Sequence, residues 1–184
     1  MLYRLFPATP GASPTEPGGA LYVPRLDQGR GRHDNPDVFG AMYFSRELVS
    51  PIAEYLKDLL GQRLDPSHLR SEGFPRAIAA VNESDVTGIV DLDDPANLEA
   101  RALRPSIVAT RDRRTTQSIA TRVWEEGASG LEWWSTIEAS WINVTLFAER
   151  TVDRLVVVDE PEVLTSDHPA VVQAARMVGL EVPG

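Results

Sequence analysis

The sequence predicts a single α+β domain spanning residues 1–184, with a mixed β core and flanking helices. Three observations predict this fold class. Many short stretches have the apolar or alternating pattern of strands, a few longer stretches have helical periodicity, and the two types do not alternate regularly as in a doubly wound fold. No internal repeat and no linker divides the chain, whose 184 residues suffice for one domain with a real core.

The strands are predicted from short runs rich in apolar, aromatic and β-branched residues. Residues 2–6 form the first, and a loop rich in proline and glycine follows it to residue 19. Further strands are predicted at 20–23, 41–44, 76–81, 86–92, 131–135, 141–147 and 155–158. We expect 76–81 and 86–92 to form a hairpin, and the wholly apolar run 155–158 to lie centrally in a sheet.

Helices are predicted at residues 51–60, 96–103, 115–126 and 167–178. The first has Ser50 as its N-cap and Pro51 at the first helical position, and Gly61 ends it. Thr115 or Thr116 is predicted to cap the third. The strand at 41–44 therefore leads directly into a helix.

The composition excludes several classes of function. A formal net charge of −9 gives an unfavourable field for nucleic acid or an anionic membrane. The chain has no cysteine, so disulfides, thiolate catalysis and thiolate zinc sites are impossible. No apolar run approaches the length of a membrane span, and residues 1–6 are too short and polar for a signal peptide. We therefore expect a soluble, cytoplasmic protein.

Several catalytic patterns are missing from the sequence. The histidines, at positions 33, 68 and 168, lack the spacing of a metal site, and no metal is expected. There is no Gly-x-Ser-x-Gly elbow and no phosphate-binding P-loop. Gly29-Arg30-Gly31 lacks the third glycine and the following helix of a dinucleotide-binding fingerprint.

Four kinds of residue remain as candidates for chemistry. Residues 27–36, which we call the arginine loop, carry Arg30 and Arg32 beside glycines and could hold an anion; the alternative is a solvated turn. Tyr43 lies on a strand and Ser135 at a strand end. Glu54 lies close to the start of a helix, where the dipole favours a carboxylate; the alternative is a surface residue that only complements the dipole.

These residue types fit cleavage of the bond between nicotinamide and ribose in NAD. A guanidinium suits the pyrophosphate, and an aromatic face suits the cationic nicotinamide ring. Departure of neutral nicotinamide leaves an oxocarbenium-like ribose that a carboxylate stabilises. A serine hydroxyl can orient the ribose or the carboxamide.

The sequence resembles the RES-domain family, which is named for an arginine, a glutamate and a serine. The resemblance covers nearly the whole chain, and the order and spacing of its motifs make it specific although each motif is weak. The motifs are Leu2-Tyr3-Arg4, Gly31-Arg32, Asn35-Pro36, Gly40-Ala41-Met42-Tyr43-Phe44-Ser45, Ala53-Glu54, Asp91-Leu92, Thr116-Gln117, Gly130-Leu131-Glu132-Trp133-Trp134-Ser135 and Asn143 to Phe147.

The resemblance implies a set of site residues. It places the catalytic groups at Arg32, Glu54 and Ser135, and a substrate-binding tyrosine at Tyr43. Arg4 resembles a further pocket arginine. Because His33-Asp34 follows Arg32 where many members carry an aromatic residue, the sequence leaves open whether Arg30 or Arg32 is the ligand.

The resemblance also implies a function. Such proteins are NAD-degrading toxins of type II toxin–antitoxin pairs, with a fold similar to that of ADP-ribosyltransferase toxins. NAD is then a substrate rather than a cofactor, and water or inorganic phosphate is the acceptor. The expected partner is a helix-turn-helix antitoxin of the Xre type, which would supply any DNA binding. The alternatives are an ADP-ribosyltransferase that modifies a protein and a non-catalytic NAD-binding module.

Overall fold

The computed structural model describes residues 1–182 and shows an α+β fold with a mixed β-sheet and flanking helices. The chain divides into two compact units, each assembled from separate stretches of sequence. The first unit comprises residues 1–22, 45–82 and the chain from residue 156 onward. The second unit comprises residues 23–44 and 83–155.

The strands are short except for one. They are β1 (Leu2–Pro7), β2 (Ala41–Ser45), β3 (Arg70–Ser71), β4 (Phe74–Asn82), β5 (Ile89–Asp91), β6 (Gly130–Trp134), β7 (Ile142–Phe147), β8 (Val156–Val157) and β9 (Glu162–Val163).

The α-helices vary from one turn to more than three. They are α1 (Val49–Leu56), α2 (Pro95–Ala100), α3 (Pro105–Val108), α4 (Arg113–Glu125), α5 (Ala148–Thr151) and α6 (Pro169–Met177). Short 3₁₀ turns lie at Arg25–Asp27, Lys57–Leu59, Pro66–Leu69 and Val152–Arg154.

In the first unit, β4 is the strand on which the others assemble. It pairs antiparallel with β1 from Leu2↔Val81 to Pro7↔Arg76, and also with β3, β8 and β9. Ser45, the last residue of β2, pairs with Tyr3 of β1. Helix α1 packs against α6, and the apolar side chains of both helices that face inward are buried. That burial is the main stabilising contribution to this unit.

In the second unit, the strands lie in the order β2–β7–β6–β5. β6 and β7 are antiparallel, whereas β5 and β6 are parallel, so the sheet is mixed. Helix α4 packs against β6 over an apolar core that includes Phe39, Val123, Leu131 and Phe147. The ring centroids of Phe39 and Phe147 are 4.4 Å apart and the rings are tilted, an arrangement that aromatic pairs prefer to face-to-face stacking. This core supports the loops described below.

Three strand predictions are wrong. β4 pairs with β1 and its first-unit neighbours while β5 pairs with β6, so residues 76–92 form no hairpin. Residues 20–23 form turns rather than a strand. The apolar run 155–158 forms only the two-residue β8, whose Val156 is 59% exposed; it covers one end of β4 and is not central. An apolar run shows that a segment is hydrophobic, but it does not determine whether the strand lies at the centre or at the edge of a sheet.

Two predicted helix caps are also wrong. Helix α1 begins at Val49, with Leu48 before it and no side-chain cap, so Ser50 is buried inside its first turn. Asp112 caps α4, because its Oδ1 accepts from the Arg114 amide at 3.1 Å and its Oδ2 from the Thr115 hydroxyl at 2.7 Å. Asp112 therefore takes the capping role that was predicted for Thr115 or Thr116. The hydroxyl of Thr116 bonds to the Arg32 carbonyl instead.

Residues 1–182 contain neither a helix suited to cross a membrane nor a cluster of metal ligands. None of their helices combines the length and the apolar character that crossing a bilayer requires. Within the same residues, no three His, Cys, Asp or Glu side chains are grouped as a metal ion would need.

Candidate functional site

The arginine loop is organised by the buried carboxylate of Asp34. Its Oδ2 accepts hydrogen bonds from the backbone amides of Gly29 at 2.8 Å and Gly31 at 2.6 Å. Its Oδ1 accepts from the Tyr43 hydroxyl at 2.6 Å. Three donors on one carboxylate fix the loop between residues 29 and 34 onto β2. The loop is therefore anchored and is not a solvated turn.

Gly31 is required by this arrangement. A Cβ at this position would lie 2.5 Å from Asp34 Oδ1 and 2.5 Å from the Tyr43 hydroxyl oxygen. Both atoms belong to the network and neither is the free end of a flexible chain. Any side chain at residue 31 would separate Tyr43 from Asp34, which explains the glycine before Arg32.

Helix α4 holds the loop from a second side. The Thr116 hydroxyl donates to the Arg32 carbonyl at 2.5 Å. The Gln117 amide nitrogen donates to the carbonyls of Gly29 and Gly31, each at 3.1 Å. These bonds supply partners for three loop carbonyls, of which that of Gly31 also accepts from the Asp34 amide at 3.4 Å. The adjacent pair Thr116-Gln117 thus acts as an anchor for the arginine loop.

The hydroxyl of Tyr43 is fully used within the protein. It donates to Asp34 and accepts from the His33 amide at 2.8 Å. Burial first, and then the Asp34 carboxylate, raises the pKa of Tyr43 well above its usual range, so the phenol stays neutral. The hydroxyl proton is therefore committed to Asp34, which leaves the half-buried ring for contact with a ligand.

His33 is a residue of the arginine loop, and its side chain is buried and neutral. Its Nδ1 lies 2.8 Å from the Thr145 hydroxyl oxygen on β7, and its ring meets Trp133 edge-on at 4.5 Å between centroids. Burial first, and then the charges of Arg32 and Arg113, lowers the pKa of His33 well below its ordinary value. The sequence analysis gave this residue no role.

We predict that stability decreases as the pH falls below about 6.5, where the unfolded chain binds a proton at His33 and the folded chain does not. One such group contributes a slope of at most about 1.4 kcal/mol per pH unit, down to the folded-state pKa. Urea denaturation at several pH values measures it. His33→Gln should have a shallower slope, because the two proteins differ only at this residue. Equal slopes would contradict the assignment.

The two loop arginines differ in their surroundings. Nη1 of Arg32 donates to the carbonyls of Val108 at 2.9 Å and Thr110 at 3.0 Å, just after α3. The Arg32 side chain is therefore held in place and half-buried. Arg30 is exposed. A positioned guanidinium loses less entropy when it binds a ligand, which favours Arg32 over Arg30 as the anion-binding residue.

Ser135 is buried at the end of β6, in the same unit. Its amide donates to the Trp141 carbonyl at 2.7 Å, and its Oγ accepts from the Ile137 amide at 3.1 Å. These bonds close the connection to β7. The serine hydroxyl is therefore held by the loop that follows it, as a positioned rather than a freely rotating group.

Glu54 belongs to the first unit and lies in the second turn of α1. It is the sixth residue of the helix, so it lies near the start of α1, as predicted, but beyond the first turn. Lys57 Nζ lies 2.5 Å from Glu54 Oε2 in a half-buried pair. The influence of the helix dipole falls off beyond the first turn, so dipole complementation explains little of this carboxylate.

Arg4 also belongs to the first unit and holds a backbone turn. Its Nη1 donates to the Ala20 carbonyl at 2.7 Å and its Nη2 to the Tyr22 carbonyl at 2.8 Å. Burial lowers the pKa of Arg4 to about 10, which leaves it charged at neutral pH. Two carbonyl partners satisfy much of this buried charge, which gives Arg4 a structural role in its own unit.

Within the second unit, Arg32 and Tyr43 are linked through the backbone of the arginine loop. The Tyr43 hydroxyl bonds to Asp34 and to the amide of His33, the residue after Arg32. The residues that build this network had been noted only as parts of family motifs or as a departure from them, with no role in the site; they are Asp34, His33, Thr116, Gln117 and Thr145. A signal for one of them was present, because Asp34 begins the polar run Asp34-Asn35-Pro36-Asp37, whose residue types are typical of a turn, ahead of the strand that carries Tyr43.

The comparisons with known proteins bear on the fold and the family of the chain. Among curated proteins, none matches the chain in sequence. A chain in the crystal structure of the M. tuberculosis MbcT-MbcA toxin-antitoxin complex has a similar fold, with a TM-score of 0.62 and 17% identity over 96% of this chain and 87% of that one. The family model described as RES domain matches residues 1–168. The chain therefore belongs to the RES domain family.

Proposed function

We propose that the protein is the toxin of a toxin–antitoxin pair and that it degrades NAD by cleaving the nicotinamide–ribose bond. The observation that carries this proposal is the anchored arginine loop, in which Asp34 holds Tyr43 and the carbonyls of Val108 and Thr110 hold the Arg32 guanidinium. Membership of the RES domain family supports it, as does the fold shared with a chain from a toxin–antitoxin complex.

Each candidate residue receives a role that its chemistry permits. Arg32 binds a phosphate of the NAD pyrophosphate, because a guanidinium can donate two parallel hydrogen bonds. The Tyr43 ring packs against the nicotinamide, since its hydroxyl is already committed. Ser135 orients the ribose or the carboxamide. Glu54 stabilises the positive charge that develops on the ribose.

The reaction requires one bond to break and one to form. The bond between C1′ of the ribose and the pyridinium nitrogen breaks, and its electron pair neutralises the nicotinamide. An oxygen of water or of inorganic phosphate then bonds to C1′. With water, the products are nicotinamide, ADP-ribose and a proton; with phosphate, ADP-ribose carries the phosphate at C1′. The Glu54 carboxylate acts on the cationic transition state common to both routes.

Incubation of the purified protein with NAD, with and without phosphate, tests the proposal. We expect release of free nicotinamide in both conditions or only with phosphate, and the second product identifies the acceptor. NAD labelled in the adenosine part should yield only small labelled products. Label on a macromolecule would instead indicate an ADP-ribosyltransferase, and binding without turnover would indicate a non-catalytic module.

The proposed antitoxin is tested by co-expression. If the chain is a toxin, its expression should stop growth and lower cellular NAD, and the product of an adjacent gene should restore both. An antitoxin with a helix-turn-helix domain should also supply the DNA binding of the complex. Growth arrest without a fall in NAD would contradict the proposed activity while leaving a toxin role possible by another reaction.

The variants Arg32→Lys and Arg30→Lys should differ in their activity on NAD. Arg32→Lys keeps the charge but cannot hold the Val108 and Thr110 carbonyls and a phosphate at once, so kcat/KM for NAD should fall by about tenfold or more. Arg30→Lys, on an exposed side chain, should change it by less than about threefold. A larger loss for Arg30→Lys would reassign the ligand to Arg30.

A further inference from the structure

A cluster of exposed arginines lies next to the arginine loop in the second unit. It comprises Arg104, Arg111, Arg113 and Arg114, and we call it the arginine surface. None of the four forms an ion pair with a carboxylate in the part of the chain that the structure describes. The carbonyls of Val108 and Thr110, which lie between them in sequence, accept from Arg32. The segment that carries the arginine surface is therefore held in position by the Arg32 side chain.

The charge of this segment contrasts with that of the whole chain. Residues 101–122 carry six of the 18 cationic residues of the chain and a single carboxylate, Asp112. That carboxylate is occupied by capping α4, because it accepts from the Arg114 amide and the Thr115 hydroxyl. In a protein of net charge −9, this is a local field of opposite sign.

Stability does not explain the arginines. Arg113 and Arg114 are the first two residues of α4, at the positive end of the helix dipole, where cations are unfavourable. Arg111 lies immediately before the cap and repels both. Apart from the attraction between Arg114 and Asp112, a cluster of like charge at this position costs folding free energy, which indicates that its benefit lies in binding.

An apolar side chain lies among the arginines. Ile107, on α3, is 41% exposed, whereas Val108 beside it is buried. A single exposed aliphatic side chain is ordinary on a protein surface, but at this position Ile107 offers a bound acidic segment one apolar contact beside the charged ones.

We propose that the arginine surface binds an acidic, amphipathic segment of a partner protein. Carboxylates of that segment pair with the guanidinium groups, and an apolar residue covers Ile107. Nucleic acid fits less well, because residues 101–122 contain no aromatic side chain on which bases could stack and the chain as a whole repels phosphate. The antitoxin would be the natural carrier of the segment; to that extent the inference rests on the proposed function.

Fluorescence anisotropy on the full chain tests the inference without NAD or an antitoxin. The probe is a labelled peptide of about 20 residues, made of glutamate, alanine and leucine with the leucines on one helical face. One comparison peptide replaces the leucines by alanine, and a single-stranded DNA of equal charge serves as the other probe. We expect the amphipathic peptide to bind most tightly, with affinity that falls as salt is raised.

Charge reversal locates the binding site. The double variant Arg111→Glu with Arg114→Glu should bind the amphipathic peptide about tenfold or more weakly. Glutamate is favourable at the start of a helix, so this variant should fold at least as well as wild type. Ile107→Ser should weaken binding of the leucine peptide and not of the alanine peptide. Arg154→Glu, at an exposed arginine outside the segment, is the control for charge reversal, and losses are compared per reversed charge because the double variant reverses two.

Three results would overturn the inference. They are the absence of peptide binding at about 100 μM, tighter binding of the DNA than of the amphipathic peptide, and equal losses per reversed charge for the double variant and Arg154→Glu. Because nicotinamide release is measured separately, these results would leave the proposed enzymatic activity standing. Conversely, an inactive protein that still binds the peptide through the arginine surface would reject the activity alone.

Discussion

Replacement of Glu54 by glutamine is expected to lower the rate of nicotinamide release by about a hundredfold or more while leaving the fold intact. The substitution keeps the size of the side chain and a good helix former on α1, and it removes only the negative charge. If that charge stabilises an oxocarbenium-like ribose, its loss corresponds to about 3 kcal/mol in the transition state. A structural carboxylate would show no such effect.

Lys57→Gln is the matched control for Glu54→Gln. Both variants remove the same half-buried ion pair, whose contribution to stability is about 0.3–1 kcal/mol, but only one removes the carboxylate. We therefore expect similar, small changes in melting temperature for the two variants and a collapse of nicotinamide release in Glu54→Gln alone. Equal activities in the two variants would make Glu54 a structural residue and remove the centre of the proposed mechanism.

The second large effect is expected from Asp34→Ala, which removes the acceptor of three hydrogen bonds. The amides of Gly29 and Gly31 and the Tyr43 hydroxyl would then lack their partner. Each buried donor left unpaired costs about 1–3 kcal/mol, reduced where water can enter, so we expect a loss of about 3 kcal/mol in the free energy of unfolding. Nicotinamide release should fall with it, because Arg32 and Tyr43 lose their common support.

Tyr43→Phe separates the hydroxyl from the ring. This variant keeps the ring that we assign to the nicotinamide but removes the bond to Asp34 and the acceptor for the His33 amide. A double-mutant cycle of Tyr43→Phe and Asp34→Asn, followed by urea denaturation, should give a coupling free energy of about 1 kcal/mol or more. Tyr43→Leu should lose activity well beyond Tyr43→Phe. Additive effects in the cycle would mean that the network is not a unit.

The fold class was predictable because burial patterns survive in single stretches of sequence. The strands at 2–6, 41–44 and 141–147 and the helix at 115–126 lie within about two residues of those observed. The pairings were not predictable, because β4 and β5 are neighbours in sequence but bond to different partners. Pairing depends on which surfaces the whole chain can bury, and no short window contains that information.

The site divides in the same way. The positions of Arg32, Tyr43 and Ser135 on a loop, a strand and a strand end follow from local sequence, and the structure confirms these placements. The role of Asp34 does not follow from local sequence, since an aspartate beside glycines equally suits an exposed turn. Only the return of β2 toward the loop, with Tyr43 at the right register, shows that this carboxylate is the centre of a network.

The anchoring of the arginine loop by distant residues affects when the loop can form during synthesis. Its bond to Thr116 spans 84 residues, and the contact between His33 and Thr145 spans 112. Contacts of such separation are made late in folding, after the loop-closure entropy has been overcome. A nascent chain that has not yet reached residue 117 has Asp34 and Tyr43 but neither partner from α4. Any activity that depends on the loop therefore arises only after most of the chain has left the ribosome.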